Sequence, residues 1–297
     1  MINRVNLIIT HKCNLNCKHC YMDLLNQKQL NDDAIYEKTI SVVDLLKKEG
    51  ITEIMFTGGE IFTFSNIKNI LMYSKEKGFK NIIFTNALNF DYDCLDYIDQ
   101  VNISLDGDEK THNYIRGNQK SYKKVIETLD ILKKKDVRTN LQISVNKHNI
   151  NSLDFLPGLL LEHLNIRNVN LISIIDKGNA ANNNIFADSS FDYEVIKLLP
   201  KLYEETKYHI QFRTSLISKY DFQNCYINEM PIFPLWIDIV DDDYYVIKNT
   251  EYSGKLCEFN ITNIKSMCYN IQQKLINKKV QEKEFINVEY EMEHIDS

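Results

Sequence analysis

Short apolar runs alternate with amphipathic stretches along most of the chain. Residues 5–9, apolar but for Asn6, read as a buried strand. The same reading applies to residues 51–56, 81–85, 101–105, 141–145 and 169–175. Between the runs the apolar positions recur at helical spacing. Asn31 stands as an N-cap before Ile35, Val42 and Leu46, and Gly50 offers a C′ stop. Ser65 is placed to cap a helix carrying Ile67, Ile70 and Leu71, closed by Gly78. A short helix is expected over 92–98, another opens at Ser121 with Val125, Leu129 and Leu132 on one face, and a last one covers 153–163. Six strand–helix units in series predict the α/β class, with a parallel sheet and right-handed crossovers. Beyond residue 185 the alternation fades. Residues 1–185 are therefore expected to form the main domain, and 186–297 a smaller C-terminal α+β extension.

Composition narrows the classes of function. The 297 residues are 44% hydrophobic, enough for a sizeable core, and the formal net charge of -6 lacks the basic footprint that phosphate-backbone binding needs. That argues against nucleic acid. The apolar runs fall well short of the roughly 20 residues of a membrane span, and the N-terminus carries no signal-peptide core. Seven cysteines, an odd number without a secretory signal, point to a reducing cytoplasm rather than a disulfide framework.

The chemistry concentrates just after the first strand, in Cys13-Asn14-Leu15-Asn16-Cys17-Lys18-His19-Cys20-Tyr21. Three closely spaced thiols can converge on one inorganic centre. A four-iron, four-sulfur cluster normally takes four thiolates, so three leave one iron open. A structural zinc site remains the alternative on spacing alone, although His19, lying between two of the thiols, is awkward as a fourth tetrahedral ligand.

The spacing resembles the signature of the radical S-adenosylmethionine (radical SAM) superfamily, CxxxCxφC, with His19 at the aromatic position. The resemblance implies a 4Fe-4S cluster on Cys13, Cys17 and Cys20, with SAM chelated to the open iron. Reductive cleavage of SAM to a 5′-deoxyadenosyl radical would be fed by an electron donor such as flavodoxin or ferredoxin. It also implies a partial (β/α)6 barrel with ligands at the carboxyl ends of the strands. Thr57-Gly58-Gly59-Glu60, at the end of the second strand, resembles the family's GGE motif, in which Glu60 would hold the SAM amino group. Tyr21 and Asn86 join the implied SAM contacts. The segment Ser104 to Gly117 resembles the "SLDG…H…R" stretch of the radical SAM maturases and sulfatase-activating enzymes. There Ser104 and Arg116 would contact the SAM carboxylate, with Asp106 beside them; a solvated loop is the alternative for Asp106 and His112. Ser144 and Asn146 take the place of ribose contacts. Asn179 stands where the family's last turn usually carries Arg.

The likeness fades after about residue 180. The stretch FPLWIDIVDDDYYVIKNTEYSGKLCEFNITNIKSM looks like the hairpin and helix start of SPASM or twitch extensions, but the cysteine after the hairpin is missing and Phe259 replaces a glycine. A degenerate extension without an auxiliary cluster is expected. Peptide maturases share these features, so the expected substrate is a ribosomally made peptide, modified by epimerisation or crosslinking; a small metabolite is the alternative. Epimerisation needs a hydrogen donor, and Cys225, Cys257 and Cys268 are the candidates. Twelve residues before Cys13 are too few for a peptide-recognition domain, so leader binding is expected from 180–297 or from a separate recognition protein.

Overall fold

The computed structural model describes residues 3–22, 30–174, 177–185, 202 and 204–206, together with short strand segments between 211 and 285. In chain order the main elements are β1 (Arg4–Thr10), α1 (Asp32–Lys48), β2 (Glu53–Gly58), α2 (Ile67–Glu76), β3 (Lys80–Thr85), β4 (Gln100–Ser104), α3 (Glu109–Arg116), α4 (Ser121–Lys134), β5 (Arg138–Val145), α5 (Leu156–Glu162), β6 (Ile166–Ser173) and α6 (Gly178–Asn182). The strands β1 to β6 pair in sequence order and all in parallel, as expected of a partial (β/α)6 barrel. Past them run β7 (Gln211–Thr214), β8 (Tyr220–Asp221), β9 (Asn228–Glu229), β10 (Trp236–Asp238), β11 (Tyr245–Lys248), β12 (Tyr252–Lys255) and β13 (Glu284–Phe285). Here β7 extends the sheet beside β6. At the opposite side β10 pairs parallel with β1, then antiparallel with β11, which pairs antiparallel with β12.

Alternation along the strands sorts the residues onto two faces. Leu7, Phe56, Ile83, Ile103, Leu141 and Leu171 are completely buried and share one cluster with Leu46 of α1, Leu71 of α2, Leu129 of α4 and Leu160 of α5. Each such side chain contributes about 1.5–3 kcal/mol by leaving water. The opposite, inner face is polar across β4 to β6, where Asn102, Asn140, Gln142, Asn168 and Asn170 are buried, whereas on β1 to β3 Asn6 shares it with the buried Ile8, Met55 and Ile82. Its N-terminal end is closed by Glu53, ion-paired with Arg4 and with Lys80 at 3.5 Å.

Several expected boundaries shift for local reasons. Asn31 Oδ1 does accept from Ala34 N at 2.8 Å, and Gly50 ends α1 with φ +71°. Ser65, however, does not cap α2: Asn66 holds that position, and the Ser65 hydroxyl donates to Asp32 Oδ2 at 3.0 Å. Residues 92–97 form a 3₁₀ turn started by Asp91, whose Oδ1 accepts from Asp93 N. The helix expected from 153 begins at Leu156, with Pro157 in its first turn. Helix α3 was not foreseen: Asp108 Oδ1 accepts from Thr111 N at 2.8 Å, and Gly117 closes it with φ +67°.

Candidate active site

The cysteine loop leaves the carboxyl end of β1 and is held from three sides. Lys18 N donates to Ile115 O of α3 at 2.9 Å. From α6 and the Asn183 that caps its end, Asn179 Nδ2 donates to Cys17 O at 3.1 Å and to Asn16 Oδ1, Asn183 Nδ2 donates to Lys18 O, and Ala180 N donates to Cys20 O. A Cβ on Gly178 would lie 2.9 Å from Cys20 O, so α6 seats against the loop only with glycine there. Sequence reasoning left Asn179 without a role and missed Asn183. Their signal is faint, because an amide that clamps a backbone carbonyl has no required spacing.

On the third side lies the turn after β2. Gly59 N donates to Thr10 O and Glu60 N to Lys12 O, both at 2.8 Å. A Cβ on Gly58 or Gly59 would stand 2.1 Å from Thr10 O or 2.2 Å from Lys12 O. The close backbone approach that these two glycines permit is thus to the chain's own first strand end. Thr57, at this strand end, is partly exposed. Glu60 is only 2% exposed. Its carboxylate accepts from Thr85 Oγ1 at 2.8 Å and Asn86 N at 2.7 Å, both neutral donors, and burial pushes its pKa up. A buried carboxylate with only neutral partners fits a ligand ammonium. Asn86 itself is committed, since its Nδ2 donates to Asn14 Oδ1 and its Oδ1 accepts from Leu88 N.

Behind the loop the solvated-loop alternative for Asp106 and His112 fails, since both are 0% exposed. His112 Nδ1 accepts from Asp106 N and its Nε2 meets Ser121 Oγ at 2.9 Å. Asp106 Oδ1 accepts from Ser144 N at 3.0 Å, and Asp106 Oδ2 takes Arg116 Nε at 2.7 Å. Arg116 Nη1 reaches Cys17 Sγ at 3.8 Å. Burial alone would raise Asp106, but Arg116 beside it holds it below the usual range. His19, with its Nδ1 3.9 Å from Asp106 Oδ2, is driven down to about 4 by burial.

The remaining expected contacts ring the mouth unequally. Ser104 and Ser144 are partly exposed at the ends of β4 and β5, and Tyr21 is 44% exposed. Asn146 is fully buried: its Nδ2 donates to Ser144 O, and its Oδ1 accepts from His148 N. Cys225, Cys257 and Cys268 lie outside the described residues. Below the mouth an amide chain runs across the inner face. Asn102 Oδ1 accepts from Gln100 and Asn140, and Asn140 Oδ1 accepts from Asn168 at 2.8 Å. Asn102 Nδ2, Gln142 Oε1 and Asn170 Oδ1 have no partner. The sequence carried this signal as Asn and Gln at alternate positions of β4 to β6, a period overlooked because apolar residues occupy the other face.

Three thiols at one strand end stand beside a buried carboxylate whose hydrogen-bond partners are all neutral, a donor set whose chemistry fits an inorganic cluster and a cationic ligand. Burial raises all three thiols, Cys13 to about 11.

Residues 7–155 match the family model described as the radical SAM superfamily. The chain belongs to that superfamily, whose members use a 4Fe-4S cluster and SAM, and Cys13, Cys17 and Cys20 supply the three thiols of its signature. It is 26% identical over 159 residues to an Fe-coproporphyrin III synthase from Methanosarcina barkeri, covering 52% of this chain and 40% of that protein. Over 149 residues it is 28% identical to the sporulation killing factor maturation protein SkfB of Bacillus subtilis, covering 48% of this chain and 36% of the relative. The chain thus spans less than half the length of these relatives. SuiB of Streptococcus suis, solved with S-adenosylmethionine, shares the fold at a TM-score of 0.67 and 13% identity, over 89% of this chain and 65% of SuiB. No helix among the described residues is long and apolar enough to cross a membrane.

Proposed function

We propose that this chain is a radical SAM enzyme that modifies a ribosomally made peptide, by epimerisation or by a carbon-centred crosslink. The observation that carries the peptide reading is the sheet extension beside β1. The outermost strand, β12, pairs on one side only among the described residues. An extended peptide can add to such an edge through main-chain hydrogen bonds. The name of SkfB, a maturation protein, supports the same reading.

When bound, the cluster and SAM supply a carbon radical able to take hydrogen from an unactivated carbon. The chain's own residues do the rest. Cys13, Cys17 and Cys20 hold the cluster in a loop fastened to α3, α6 and the β2 turn. Glu60 takes the SAM ammonium, which replaces the positive charge that its buried carboxylate lacks. Ser104, Ser144 and Thr57 present hydroxyls at the mouth. Cys225, Cys257 and Cys268 remain the proposed hydrogen donors, and residues 186–297 the proposed substrate-binding domain. A cytoplasmic setting, a flavodoxin- or ferredoxin-type electron donor and a separate leader-recognition protein complete the proposal.

The test is anaerobic incubation with the product of a short open reading frame beside the gene, in deuterated buffer. An epimerase leaves the peptide with one deuterium in place of hydrogen, whereas a crosslinking enzyme removes two hydrogens. An unchanged peptide overturns the peptide reading. A second reading, action on a small metabolite, is favoured by the similarity to Fe-coproporphyrin III synthase, and SAM cleavage that depends on such a metabolite instead of a peptide would establish it.

A further inference from the structure

We infer that Arg116 is a positioning residue for the cluster: held by Asp106, it donates a hydrogen bond to the Cys17 sulfur and sets how readily the cluster accepts an electron. The inference rests on Cys17 being a cluster ligand. It departs from the SAM-carboxylate role that the family resemblance implies for this arginine.

The geometry carries it. Arg116 Nε is committed to Asp106 Oδ2 at 2.7 Å, and Nη1 lies 3.8 Å from Cys17 Sγ, within hydrogen-bonding reach of sulfur. Both members of the pair are buried, Arg116 at 7% and Asp106 at 0% exposure. Asp106 is fixed in turn, because its Oδ1 accepts from Ser144 N and its own N donates to His112 Nδ1. The last turn of α3 that carries Arg116 is also tied to the cysteine loop, through Ile115 O and Lys18 N. The guanidinium therefore cannot swing away without breaking a buried ion pair. Hydrogen bonds and charge at cluster sulfurs are among the terms that set an iron–sulfur potential. A cation beside a thiolate favours the reduced cluster, which carries one more negative charge. The Asp106 carboxylate opposes this from one residue further out.

The two halves of the pair must therefore act with opposite sign. The test is a redox titration of the reconstituted holoprotein without SAM, followed by the electron paramagnetic resonance of the reduced cluster, for wild type, Arg116→Gln, Arg116→Lys and Asp106→Asn. In Arg116→Gln the ratio of reduced to oxidised cluster at a fixed potential should fall roughly ten-fold, a midpoint lower by about 59 mV for a one-electron couple. Arg116→Lys, which keeps the charge but cannot fork between Asp106 and Cys17, should fall less. Asp106→Asn should shift the ratio upward. Ratios within two-fold of wild type in all three variants overturn the inference, as do shifts of one sign throughout. Loss of the cluster from every variant would assign the pair to assembly of the loop and overturn it as well. If Arg116→Gln weakens SAM binding while the midpoint stays put, the carboxylate role stands and this one falls. A wild type that binds no iron would instead sink the cluster reading itself.

Discussion

The two walls of the sheet tie their buried polar groups to different partners. Around β1 to β3, groups beside the cysteine loop bond from one element to the next, Glu60 to Thr85 and Asn86, Asn86 to Asn14, and the β2 turn to Thr10 and Lys12, while Asn6 Oδ1 and Asn14 Nδ2 have no partner. Across β4 to β6, an amide chain links Gln100, Asn102, Asn140 and Asn168, yet Asn102 Nδ2, Gln142 Oε1 and Asn170 Oδ1 are left without partners. Native chains rarely leave such atoms unsatisfied, and each costs about 1–3 kcal/mol. The first wall is pre-shaped, so damage there should remove cofactor binding and stability together. The amides of the second wall bond to one another and not to the cysteine loop, so stability and activity should separate there.

The largest effect belongs to the first wall. Gly59→Ala forces a Cβ to within 2.2 Å of Lys12 O, and the β2 turn must part from the cysteine loop. We expect a loss of about 3 kcal/mol or more, read by chemical denaturation, together with loss of bound iron. A variant as stable as wild type would show that the turn does not brace the loop.

Next comes the amide chain. Asn140→Leu strips partners from both Asn102 and Asn168, and should cost about 2 kcal/mol, mainly through the orphaned Asn168 amide. No change in the unfolding midpoint would mean that the chain carries no stability.

Glu60→Ala should weaken SAM binding by roughly ten- to a hundred-fold, the equivalent of about 1.5–3 kcal/mol for one charged hydrogen bond, while the iron content holds. The pH dependence has a definite sign. Burial raises the Glu60 carboxyl above its ordinary 4.5, so it takes up its proton at a higher pH than a free carboxyl. Because the folded pKa is the raised one, proton uptake stabilises the free fold as pH falls, and the same proton removes the charge that an ammonium needs. SAM affinity should therefore decline on acidification, beginning above pH 4.5, and Glu60→Gln should lose that dependence. Calorimetric titration across the range checks both.

The smallest effect sharpens the comparison from the other wall. Gln142→Met removes an unpartnered acceptor with little change of shape, so stability should stay within about 0.5 kcal/mol of wild type or rise. A loss on the scale of Asn140→Leu would erase the difference between a committed amide and an open one.

The parts of this molecule legible in the sequence were those governed by apolar period. Strands β1 to β6, α1, α2 and α4 bury residues such as Leu46, Leu71 and Leu129 at regular spacing. Helix α3 escaped because what it buries is mostly polar: His112, Asn113 and Arg116, with Ile115 the one apolar exception. Its cap, Asp108, was readable in hindsight. The cluster loop was legible because chemistry fixes thiol spacing, whereas the Asn179 and Asn183 clamps were not, since backbone carbonyls accept from any amide within reach. Glu60 was found through its motif, but its dependence on Thr85 and Asn86 comes from adjacent parallel strands and appears only once they are placed. Arg116 was found as well, while its link to Cys17 depends on how α3 packs against the loop.

The account rests on Cys13, Cys17 and Cys20 jointly holding one iron–sulfur cluster, and metal and sulfide analysis of anaerobically reconstituted protein tests this most directly. Wild type should contain iron and acid-labile sulfide in equal amounts, about four of each per chain. A variant with all three cysteines changed to alanine should contain close to none. Stoichiometric zinc without iron in wild type, or iron and sulfide undiminished in the triple variant, would contradict the account.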